Sequence, residues 1–480
     1  MQQQSQFQTK KINILHFNDA YEIGSQESEN PTATVGGVSR FKTICKNFKE
    51  QNPQNSLILF SGDLFSPSTM SLLYQGQQML YPINSLNIDA ACVGNHDFDY
   101  KIDHVIKLTS NCNFPWLCSN IFDASTGKNV ADFLPYYTKE LNGIKVGFIG
   151  LAEEEWLDTI VEIDIQTLRY QEFVNCAKEV CQVLKEELQC EFIIALTHMR
   201  IPNDNILAEN VPEIDLILGG HDHCKYFKCT QNKCVIIKSG CDFKEYSIIE
   251  VYINNTQKGN YQLKNGHSLN MDFYKVTKDI PEDPDIHAYV EKYIQKTKED
   301  MDKVIGYTKC PLDTQFSTVR TQESNFGNFY ADVIRKDTQA DIAILNAGTI
   351  RSDCIFEEGE ITFQMMCKAL PFADVIVVLE MNGFQIVQAL ENGVSKWPNY
   401  DGRFPQVSGM KYSFDPRKEP MQRIVDVWVG NEKIDFVKKY SVALKYFISL
   451  GKDGYDILRE CKYIVDETNG QPHLKVTLII

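Results

Sequence analysis

The sequence predicts an α/β protein built from two domains. Its 480 residues exceed what a single hydrophobic core usually organises. From Lys11 to about Lys275, short β-branched or aromatic runs alternate with segments of helical period, as in a layered α/β domain. Pro281 and Pro284, set among acidic residues, interrupt this pattern, and a second set of strands and helices begins near Val304. The interruption places a domain boundary near residues 278–284.

Five strand-like runs of the first domain end in side chains that can bind metal ions or phosphate. Each run is apolar, as expected for a buried strand. With their polar ends, the runs are Ile12–Asp19, Leu57–Asp63, Ala90–Asp99, Phe192–His198 and Leu216–His223. Because neighbouring strands bring their ends to one edge of a sheet, we expect these polar side chains to form a single site.

Segments with apolar residues at helical spacing separate these strands. Helices are predicted over Phe41–Glu50 and Tyr170–Leu188, the second leading into the strand that ends at His198. After the boundary, the segment Ile286–Met301 carries apolar residues on one helical face and charges elsewhere. This pattern predicts a linker helix that lies against a neighbouring domain.

The second domain shows the same mixture of helical and strand patterns. Its predicted helices are Asn325–Arg335 and Phe384–Glu391, and its predicted strands are Ile342–Leu345 and Asp374–Glu380. The expected division of the chain is a disordered N-terminus at residues 1–10, a first domain at 11–278, a linker helix at 279–303 and a second domain at 304–480.

Charge and hydropathy restrict the partners and the compartment. A formal net charge of -16 argues against binding to a nucleic acid polymer, which requires clustered lysine and arginine. No apolar run approaches the roughly 18 residues of a membrane span. The polar N-terminus lacks the apolar core of a signal peptide, so the default expectation is cytoplasmic, or extracellular if the N-terminus is incomplete. The sequence does not indicate an oligomeric state.

The 15 cysteines are expected to be mostly buried free thiols, since most occupy apolar surroundings. The group Cys224, Cys229, Cys234 and Cys241 could be considered for structural zinc, but paired C-x-x-C spacing is absent and the segment after Cys234 has the pattern of a hairpin strand. A disulfide across that hairpin would require an exported protein.

The polar strand ends supply a ligand set for two divalent metal ions. Such a centre needs a bridging carboxylate, several imidazoles or carboxylates, and an open position for water. The candidate ligands, in chain order, are Asp19, Asp63, Asn95, His198, His221 and His223. Their recurrence after five separate apolar runs favours a common metal site over unrelated capping residues.

These motifs resemble those of the 5'-nucleotidase family, which carries a calcineurin-like metallophosphoesterase domain. The family pattern of D-x-H, G-D, G-N-H-D/E, H and G-H-x-H is matched by Asp19, Gly62-Asp63, Gly94-Asn95-His96-Asp97, His198 and Gly220-His221-Asp222-His223. The resemblance implies a four-layer metallophosphoesterase β-sandwich flanked by helices, followed by a smaller α/β 5'-nucleotidase C-terminal domain that binds substrate.

The resemblance also implies how the ligands are shared. Asp63 would bridge two ions, with Asp19 and His223 completing the shell of one. The shell of the other would be completed by Asn95, His198 and His221. Mixed oxygen and nitrogen donors suit zinc, manganese or iron better than calcium.

Two residues beside the ligands are expected to act in catalysis. By the same resemblance, His96 lies over the phosphate and Asp99 orients it. A carboxylate that fixes the imidazole tautomer and supports its positive form is ordinary acid–base chemistry. His96 could then stabilise developing negative charge or protonate the leaving oxygen.

One position departs from the family motif, because Tyr21 stands where D-x-H has its histidine. A phenol with a pKa near 10 is a poor ligand unless the ion ionises it. The first site is therefore expected to be looser, filled by water, or selective for another metal.

The second domain carries family motifs that the resemblance assigns to nucleotide binding. These are Ser324–Asp332, Ile344–Arg351, Leu370–Phe372, Gln406–Gly409 and Gly451–Tyr455. The resemblance implies that Phe372 and Phe447 stack on the base and that Asp453 accepts hydrogen bonds from the ribose. The anionic or ribose end would be held by Arg320, Asn346 and Arg351. Aromatic stacking and arginine forks suit these roles.

The predicted function is a dinuclear metallophosphohydrolase that releases phosphate from nucleoside 5'-monophosphates by attack of a metal-activated water. Within the same class, UDP-sugars, nucleoside diphosphates or triphosphates and 2',3'-cyclic nucleotides are alternative substrates. An inactive metal-bound nucleotide sensor is an alternative of another class, motivated by Tyr21.

Overall fold

A computed structural model describes residues 10–27, 34–158, 167–255, 258–371, 375–466 and 471–472. The chain divides into two compact units, Met1–Lys296 and Thr297–Ile480, so the division falls inside the helix Pro284–Met301. The predicted disorder of the N-terminus concerns residues that lie outside the described ones, except for Lys10.

The first unit contains two large sheets. In spatial order, the described strands of the first sheet are Tyr261–Gln262, Ser268–Lys275, Glu245–Tyr252, Lys11–Phe17, Ser56–Ser61, Ala90–Cys92 and Trp116–Leu117. Its last four strands are parallel to one another, and Lys11–Phe17 pairs antiparallel with Glu245–Tyr252. Among the described residues this sheet has seven strands.

The second sheet has six strands within the described part of the chain. In spatial order they are Lys225–Cys229, Val235–Ser239, Leu216–Gly219, Phe192–His198, Ile144–Ala152 and Tyr136–Leu141. The four central strands are parallel, and the two edge strands are antiparallel to their neighbours.

The two sheets pack face to face through alternate side chains of their strands. Ile14 and Leu57 of the seven-stranded sheet share one buried core with Phe148, Leu196 and Leu218 of the six-stranded sheet. Successive residues of a strand point to opposite faces, so each strand also contributes to an outer core. The apolar runs of the sequence are continuous because these strands are buried on both faces.

Helices cover the outer faces and complete four layers. The seven-stranded sheet is covered by Val38–Gln51, Thr69–Tyr74, Gln77–Ser85 and Ile102–Thr109. The six-stranded sheet is covered by Phe173–Gln182, the following wider turn Val183–Glu187, and Ile201–Asn210. The predicted helix–sheet–sheet–helix layering and the two helices predicted in this unit are confirmed.

The predicted linker helix is present over Pro284–Met301. Ile286 and Val290, in its first half, are buried in the core that covers the outer face of the seven-stranded sheet. The amphipathic pattern that predicted this helix therefore reflects packing on the first unit.

The second unit has one central sheet with a core on each face. Its strands, in spatial order, are Pro405–Ser408, Ile342–Asn346, Lys439–Lys445, Val375–Asn382 and Lys462–Val465, with Gln471–Pro472 also paired to Val375–Asn382. The helix Asn325–Thr338 lies on one face and Gly383–Val394 on the other. The second α/β domain is confirmed as a three-layer unit.

Smaller elements connect these layers. The remaining α-helices are Phe316–Val319, Phe363–Ala369 and Tyr446–Ser449. Single turns of tighter helix are Asn95–Phe98, Val130–Asp132, Glu154–Asp158, Lys264–Gly266, Ala347–Thr349, Lys452–Gly454 and Asp456–Glu460. A three-stranded ribbon is formed by Met410–Phe414, Ile424–Val429 and Glu432–Lys433. Two-stranded ribbons pair Ser25–Glu27 with Thr34–Gly36, Ile121–Asp123 with Leu168–Tyr170, Val304–Thr308 with Gly359–Thr362, and Leu312–Asp313 with Ile355–Phe356.

Two predictions about the whole chain concern membranes and cysteines. Within the described ranges, every helix is too short or too polar to span a lipid bilayer. All 15 cysteines are free, and nine of them are buried, in agreement with the expectation of buried thiols.

Candidate metal centre

The carboxyl ends of parallel strands from both sheets meet at one buried cluster. Asp19, Asp63 and His198 offer ligand atoms that all lie within 4.8 Å of one another, and all three side chains are buried. His198 Nε2 is 3.1 Å from Asp63 Oδ2 and 3.9 Å from Asp19 Oδ1. Three of the candidate ligands are therefore brought together at the centre of the site.

The two histidines of the Gly220–His223 turn lie at the edge of this cluster. The backbone N–H of His221 donates to Asp19 Oδ2 at 2.9 Å, and the His221 ring lies 5.2 Å from the His198 ring. His223 Nε2 is 3.1 Å from Asp19 Oδ1. The turn thus places the His221 ring near His198 and the His223 ring beside Asp19.

Asn95 occupies the turn after the strand Ala90–Cys92, between two residues in contact with Asp63. The backbone N–H of His96 donates to Asp63 Oδ1 at 2.9 Å, and a Cβ added to Gly94 would lie 2.0 Å from that same oxygen. This close approach requires glycine at position 94. The Oδ1 atom of Asn95 is buried.

Two buried ligand atoms are left without hydrogen bonds. Within the described part of the chain, neither Asn95 Oδ1 nor His198 Nε2 has a hydrogen-bond partner. The His198 Nε2 atom is close to Asp63 Oδ2 but lacks the alignment of a hydrogen bond. Buried polar atoms without partners are rare in native proteins and call for a ligand or an ion.

The backbone at the candidate ligands is strained. Four of the six adopt positive φ angles, which residues other than glycine seldom do. These are Asp19 at 50°, Asp63 at 63°, His221 at 80° and His223 at 51°. Such conformations persist where the surrounding structure holds them and cluster at functional sites.

The electrostatics of the cluster favour a cation. Burial alone would raise the pKa of Asp63, but the charges of His198 and His96 hold it well below its usual range. Burial alone would lower the pKa of His198, but Asp63 and Asp19 raise it to about 9. Asp63 therefore stays ionised, and the raised pKa of His198 favours a proton on that ring, a position for which a metal ion would compete.

Tyr21 reaches into the cluster from the turn after the strand Lys11–Phe17. Its hydroxyl lies 3.1 Å from Asp19 Oδ1, 3.0 Å from Asp63 Oδ2 and 2.8 Å from His223 Nε2. Burial and the charges of Asp63 and Asp19 raise the pKa of the phenol. The residue that departs from the family motif thus touches three candidate ligands.

His96 and Asp99 lie next to this cluster, in contact with each other. His96 Nδ1 is 3.1 Å from Asp99 Oδ2, and the His96 side chain is 39% exposed. Burial would lower the pKa of His96, but its hydrogen bond to the Asp99 carboxylate and the charges of Asp63 and Asp99 raise it to about 9. The imidazolium form is therefore favoured at neutral pH, with Nε2 left for a ligand.

In the second unit, Asn346 and Asp453 are joined directly. Asn346 Nδ2 donates to Asp453 Oδ2 at 2.8 Å, and Thr349 Oγ1 donates to Asn346 Oδ1 at 3.0 Å. The Asn392 side chain also donates to the backbone carbonyl of Asp453 at 3.1 Å. Asp453 itself has a positive φ of 54°. Asn346 therefore positions the Asp453 carboxylate in this structure.

Arg320 and Arg351 lie close enough to repel each other. Burial lowers the pKa of Arg320, and the positive charge of Arg351 lowers it further. Arg320 donates to the carbonyl of Tyr400 at 2.9 Å and stacks on Phe316 at 4.0 Å, while its buried Nε has no hydrogen-bond partner among the described residues. A pair of neighbouring guanidinium groups is suited to an anion.

Of the two aromatic residues predicted to stack on a base, the structure describes Phe447 and not Phe372. Phe447 lies on the short helix Tyr446–Ser449, just before the turn Lys452–Gly454 that carries Asp453, and it is 39% exposed. Phe372 lies outside the described residues.

Two regions of the chain match family models. Residues 12–225 match the model described as calcineurin-like phosphoesterase, and residues 304–460 match the model described as 5'-nucleotidase, C-terminal domain. The first region contains every candidate metal ligand, and the second follows it in the order that the sequence motifs predicted. The chain belongs to the 5'-nucleotidase family.

Full-length relatives of this family agree with both matches. A 5'-nucleotidase from Vibrio cholerae is 26% identical, over 93% of this chain and 86% of its own length. An apyrase from Tabanus yao is 26% identical, over 94% of this chain and 87% of its own length. The crystal structure of a 5'-nucleotidase precursor from Thermus thermophilus has a TM-score of 0.63 and 25% identity, covering 98% of this chain and 96% of that one.

Membership of the family establishes the class of chemistry. The chain is a 5'-nucleotidase-like metallophosphoesterase, a phosphoric ester hydrolase. Calcineurin-like phosphoesterases generally use divalent metal ions. The donors here fit such ions, because two carboxylates and an imidazole converge and two buried atoms, Asn95 Oδ1 and His198 Nε2, lack hydrogen-bond partners among the described residues.

The sequence motifs of the 5'-nucleotidase family did not indicate Glu153, which lies 3.8 Å from His221 Nε2 through its Oε1 atom. Its carboxylate also accepts from the Arg200 backbone at 2.8 Å and from Asn203 at 2.6 Å. Glu153 directly follows the strand Ile144–Ala152, so it is another polar strand end. Its place at a strand end could have indicated a site residue, but the acidic run Glu153–Glu155 is equally typical of a solvated turn.

Two further residues hold the backbone next to the candidate ligands through hydrogen bonds. Asp97 accepts hydrogen bonds from the backbone N–H groups of Asp63, Gly94 and Leu64 at 2.8 to 3.1 Å. Lys238 is fully buried and lies 2.6 Å from the carbonyl of Gly220, at the start of the histidine turn. Asp97 belongs to a recognised motif, whereas Lys238 occurs in an apolar strand without any such signal.

Proposed function

We propose that this protein hydrolyses nucleoside 5'-monophosphates to a nucleoside and inorganic phosphate at a centre that holds two divalent ions. The observation that carries the proposal is the buried cluster of Asp19, Asp63 and His198, with His96 and Asp99 beside it. Acidic side chains, histidines and buried polar atoms without hydrogen-bond partners among the described residues lie in one place, and they would form a cation site next to an imidazolium that suits a phosphate.

The residues available for the two ions fall into two groups that share Asp63. Asp19 and His223 would hold one ion, and their ligand atoms are 3.1 Å apart. The other ion would be held by Asn95, His198 and His221, on the side where Asn95 Oδ1 and His198 Nε2 lack partners. When bound there, divalent ions activate water as a nucleophile and offset the negative charge of a phosphate.

His96 would stabilise the negative charge of the substrate phosphate or protonate the leaving oxygen. Asp99 engages its Nδ1 atom, which leaves Nε2 to donate to a phosphate oxygen or to the leaving oxygen. The carboxylate holds the ring orientation and stabilises its protonated form. Asp99 is thus a positioning residue for the proton that His96 carries.

Residues of the second unit would bind the rest of the nucleotide. The Asp453 carboxylate, held by Asn346, would accept hydrogen bonds from ribose hydroxyls. The exposed face of Phe447 would stack on the base, a contact worth roughly 1 to 3 kcal/mol. Arg320 and Arg351 would hold the anionic or ribose end of the substrate.

Hydrolysis of nucleoside diphosphates or triphosphates is the second candidate function, favoured by the similarity to an apyrase. The metal centre would be the same, and the difference would lie in which phosphate reaches it. UDP-sugars and 2',3'-cyclic nucleotides would be discriminated in the same way, by groups that bind the substrate away from the ions.

The test is phosphate release from a panel of nucleoside monophosphates, diphosphates and triphosphates, UDP-sugars and 2',3'-cyclic nucleotides, with added manganese, zinc or cobalt. We expect the highest kcat/KM for a 5'-monophosphate. His96→Ala is expected to lower kcat about 100-fold or more, the usual contribution of acid–base catalysis. His104→Ala, which removes a histidine bound to the Gln75 carbonyl, is the matched control and should retain activity.

Two outcomes would contradict the proposal. Equal activity of His96→Ala and the wild type would remove His96 from catalysis. No release from any substrate by the wild type, with activity recovered in Tyr21→His, would instead identify an inactive nucleotide-binding protein.

A further inference from the structure

Lys238 is a charged residue in a strand that is otherwise mostly apolar. It lies in Val235–Ser239, where every residue is buried, and its own side chain is 0% exposed. Lysine is almost never fully buried unless its charge is paired. Ile236, two residues earlier and on the same face of the strand, packs in the core between the six-stranded sheet and its helices. An apolar side chain could fill such a position, so the ammonium group calls for another reason.

The ammonium group of Lys238 contacts four oxygen atoms. It donates to the carbonyls of Met199 and Gly220, each at 2.6 Å. It also forms ion pairs with Asp204 Oδ2 at 2.8 Å and with Asp222 Oδ2 at 2.7 Å. An ammonium group has three protons to donate, and four acceptors surround them here. Lys238 therefore acts through the groups that it holds, and its protons are already engaged within the protein.

Two of these oxygens belong to the segment that carries His198. Met199 directly follows this histidine, and Thr197 directly precedes it. The Thr197 hydroxyl donates to Asp204 Oδ1 at 2.6 Å, and the other oxygen of the same carboxylate pairs with the ammonium group. Lys238 thus holds the chain on both sides of one candidate metal ligand.

The other two oxygens belong to the turn Gly220–His223. Gly220 precedes His221, and Asp222 lies between the two histidines of the turn. The backbone there is strained, because His221 and His223 have positive φ angles of 80° and 51°. Such conformations persist where the surrounding structure holds them. The ammonium group supplies part of that hold, since it contacts the turn on both sides of His221.

The ammonium group and the two ligand-bearing segments are in close contact. A Cβ atom added to Gly219, which pairs with Lys238 in the sheet, would lie 3.2 Å from the lysine Nζ and 3.1 Å from Thr197 Oγ1. A Cβ atom added to Gly220 would lie 2.8 Å from His198 Nδ1. Loss of the ammonium group would therefore change how the two segments lie relative to each other.

We propose that Lys238 is a positioning residue that sets the separation of His198 and His221. These are two of the three side chains, with Asn95, that would hold the second ion of the proposed centre. Groups outside the ligand shell commonly orient metal ligands and tune their affinity in this way. Lys238 stands outside the motifs that identify the family. The inference rests on the proposed function, because it concerns one of the two ions of that centre.

The test compares Zn²⁺ binding to the metal-stripped full-length protein, measured by equilibrium dialysis, with stability in urea. Lys238→Met should bind the second ion about 10- to 100-fold more weakly than the wild type, the usual cost of losing a group that orients a metal ligand. The first ion would share only His223 with the turn and should lose less affinity. Saturating Zn²⁺ should recover most of the lost kcat, because the ligands themselves are intact.

A double variant separates positioning from stability. Lys238→Met alone leaves Asp204 buried without its cation, whereas Lys238→Met combined with Asp204→Leu replaces an ion pair by apolar groups, a change that is often neutral or stabilising. We expect the double variant to have a urea midpoint close to that of the wild type and to bind the second ion as weakly as the single variant. Lys433→Met, which removes a surface pair with Asp426, is the control and should match the wild type in both measurements.

Two results would overturn the inference while leaving the proposed function intact. One is a variant, single or double, that binds both ions with wild-type affinity, which would make Lys238 a residue that only stabilises the fold. The other is an equal loss of affinity for both ions, which would indicate a general disturbance of the unit. A wild type that binds no ion and releases no phosphate would instead contradict the proposed function itself.

Discussion

At the scale of single residues, Glu22 shows how burial beside the candidate metal centre shifts the pKa of a carboxyl group. Burial and the charge of Asp242 raise the pKa of Glu22 from 4.5 to about 7, although Lys244 and a backbone hydrogen bond from Thr69 act in the opposite direction. The folded state thus binds more protons than the unfolded chain between these two values. Stability must fall as the pH rises through that interval and stay constant above it.

Glu22→Gln should therefore stabilise the protein more at high pH than at low pH. One pKa unit corresponds to about 1.4 kcal/mol, so the gain at pH 8 should exceed the gain at pH 5 by about 2 kcal/mol. Urea unfolding of the metal-stripped protein at both values measures this. Glu50→Gln, at an exposed glutamate on the helix Val38–Gln51, should show no such difference. An equal effect of Glu22→Gln at the two values would show that Glu22 is not protonated at pH 5.

The candidate site could be predicted from the sequence to the extent that its residues stand in motifs. Asp19, Asp63 and His198 end apolar strands, and the structure brings them together. The position of the Tyr21 hydroxyl could not be predicted, because it depends on three side chains from separate segments. Glu153 was missed because, although it follows a strand, the acidic run Glu153–Glu155 is equally typical of a solvated turn.

At the scale of secondary structure elements, Lys238 links the histidine turn to the six-stranded sheet. It lies in the buried strand Val235–Ser239, with Nζ 2.8 Å from Asp204 Oδ2 and 2.7 Å from Asp222 Oδ2. It also donates to the carbonyls of Met199 and Gly220 at 2.6 Å. A single cation thus joins the ends of two neighbouring strands.

Lys238→Met should lower the free energy of unfolding by about 3 to 5 kcal/mol, because it leaves buried acceptors without a partner. Lys433→Met is the matched control, since Lys433 pairs with Asp426 on the surface and such pairs contribute about 1 kcal/mol or less. Urea unfolding monitored by far-ultraviolet circular dichroism gives both values. Similar values for the two variants would mean that water replaces the Lys238 ammonium.

The strands were predictable because they are apolar on both faces, and several runs match their elements to within a residue. The strand Phe192–His198 coincides with its predicted run, and the strand Leu216–Gly219 covers the apolar start of the run that continues to His223. The predicted helix Tyr170–Leu188 instead starts at Phe173 and widens over Val183–Glu187. The periodicity of apolar residues locates a helix, but it does not reveal where the hydrogen-bond spacing within that helix changes. It also cannot show that Lys238 is buried with its charge balanced by Asp204 and Asp222.

At the scale of the whole molecule, phosphate chemistry and nucleoside recognition are assigned to different units. The proposed metal ligands belong to Met1–Lys296, and the residues proposed for the ribose and base belong to Thr297–Ile480. Changes in the second unit should then affect substrates that carry a base and spare those that do not.

Phe447→Ala should raise KM for a nucleoside 5'-monophosphate about 10-fold, because a stacking contact contributes roughly 1 to 3 kcal/mol. Hydrolysis of a phosphate monoester without a base, such as p-nitrophenyl phosphate, should be unchanged. Phe436→Ala removes another exposed aromatic of the second unit and serves as the control. An equal loss with both substrates would assign Phe447 to folding of the unit and not to base recognition.

The two-domain α/β organisation was predictable from chain length, alternating patterns and the prolines near residue 281. The position of the division was not, because the helix Pro284–Met301 runs through it without interruption. A continuous helical pattern cannot reveal which part of it packs on which core. The burial of Ile286 and Val290 places its first half on the first unit.

The origin of the proposed ligands in two different sheets sets an order for maturation of the chain. During synthesis Asp19, Asp63 and Asn95 emerge first, and His198, His221 and His223 follow more than a hundred residues later. Neither half alone has the donors for a complete centre, so a nascent or half-folded chain has no competent place for the ions. If the ions bind at these residues, metal loading would come last, and a loaded protein would be one whose two sheets had already assembled.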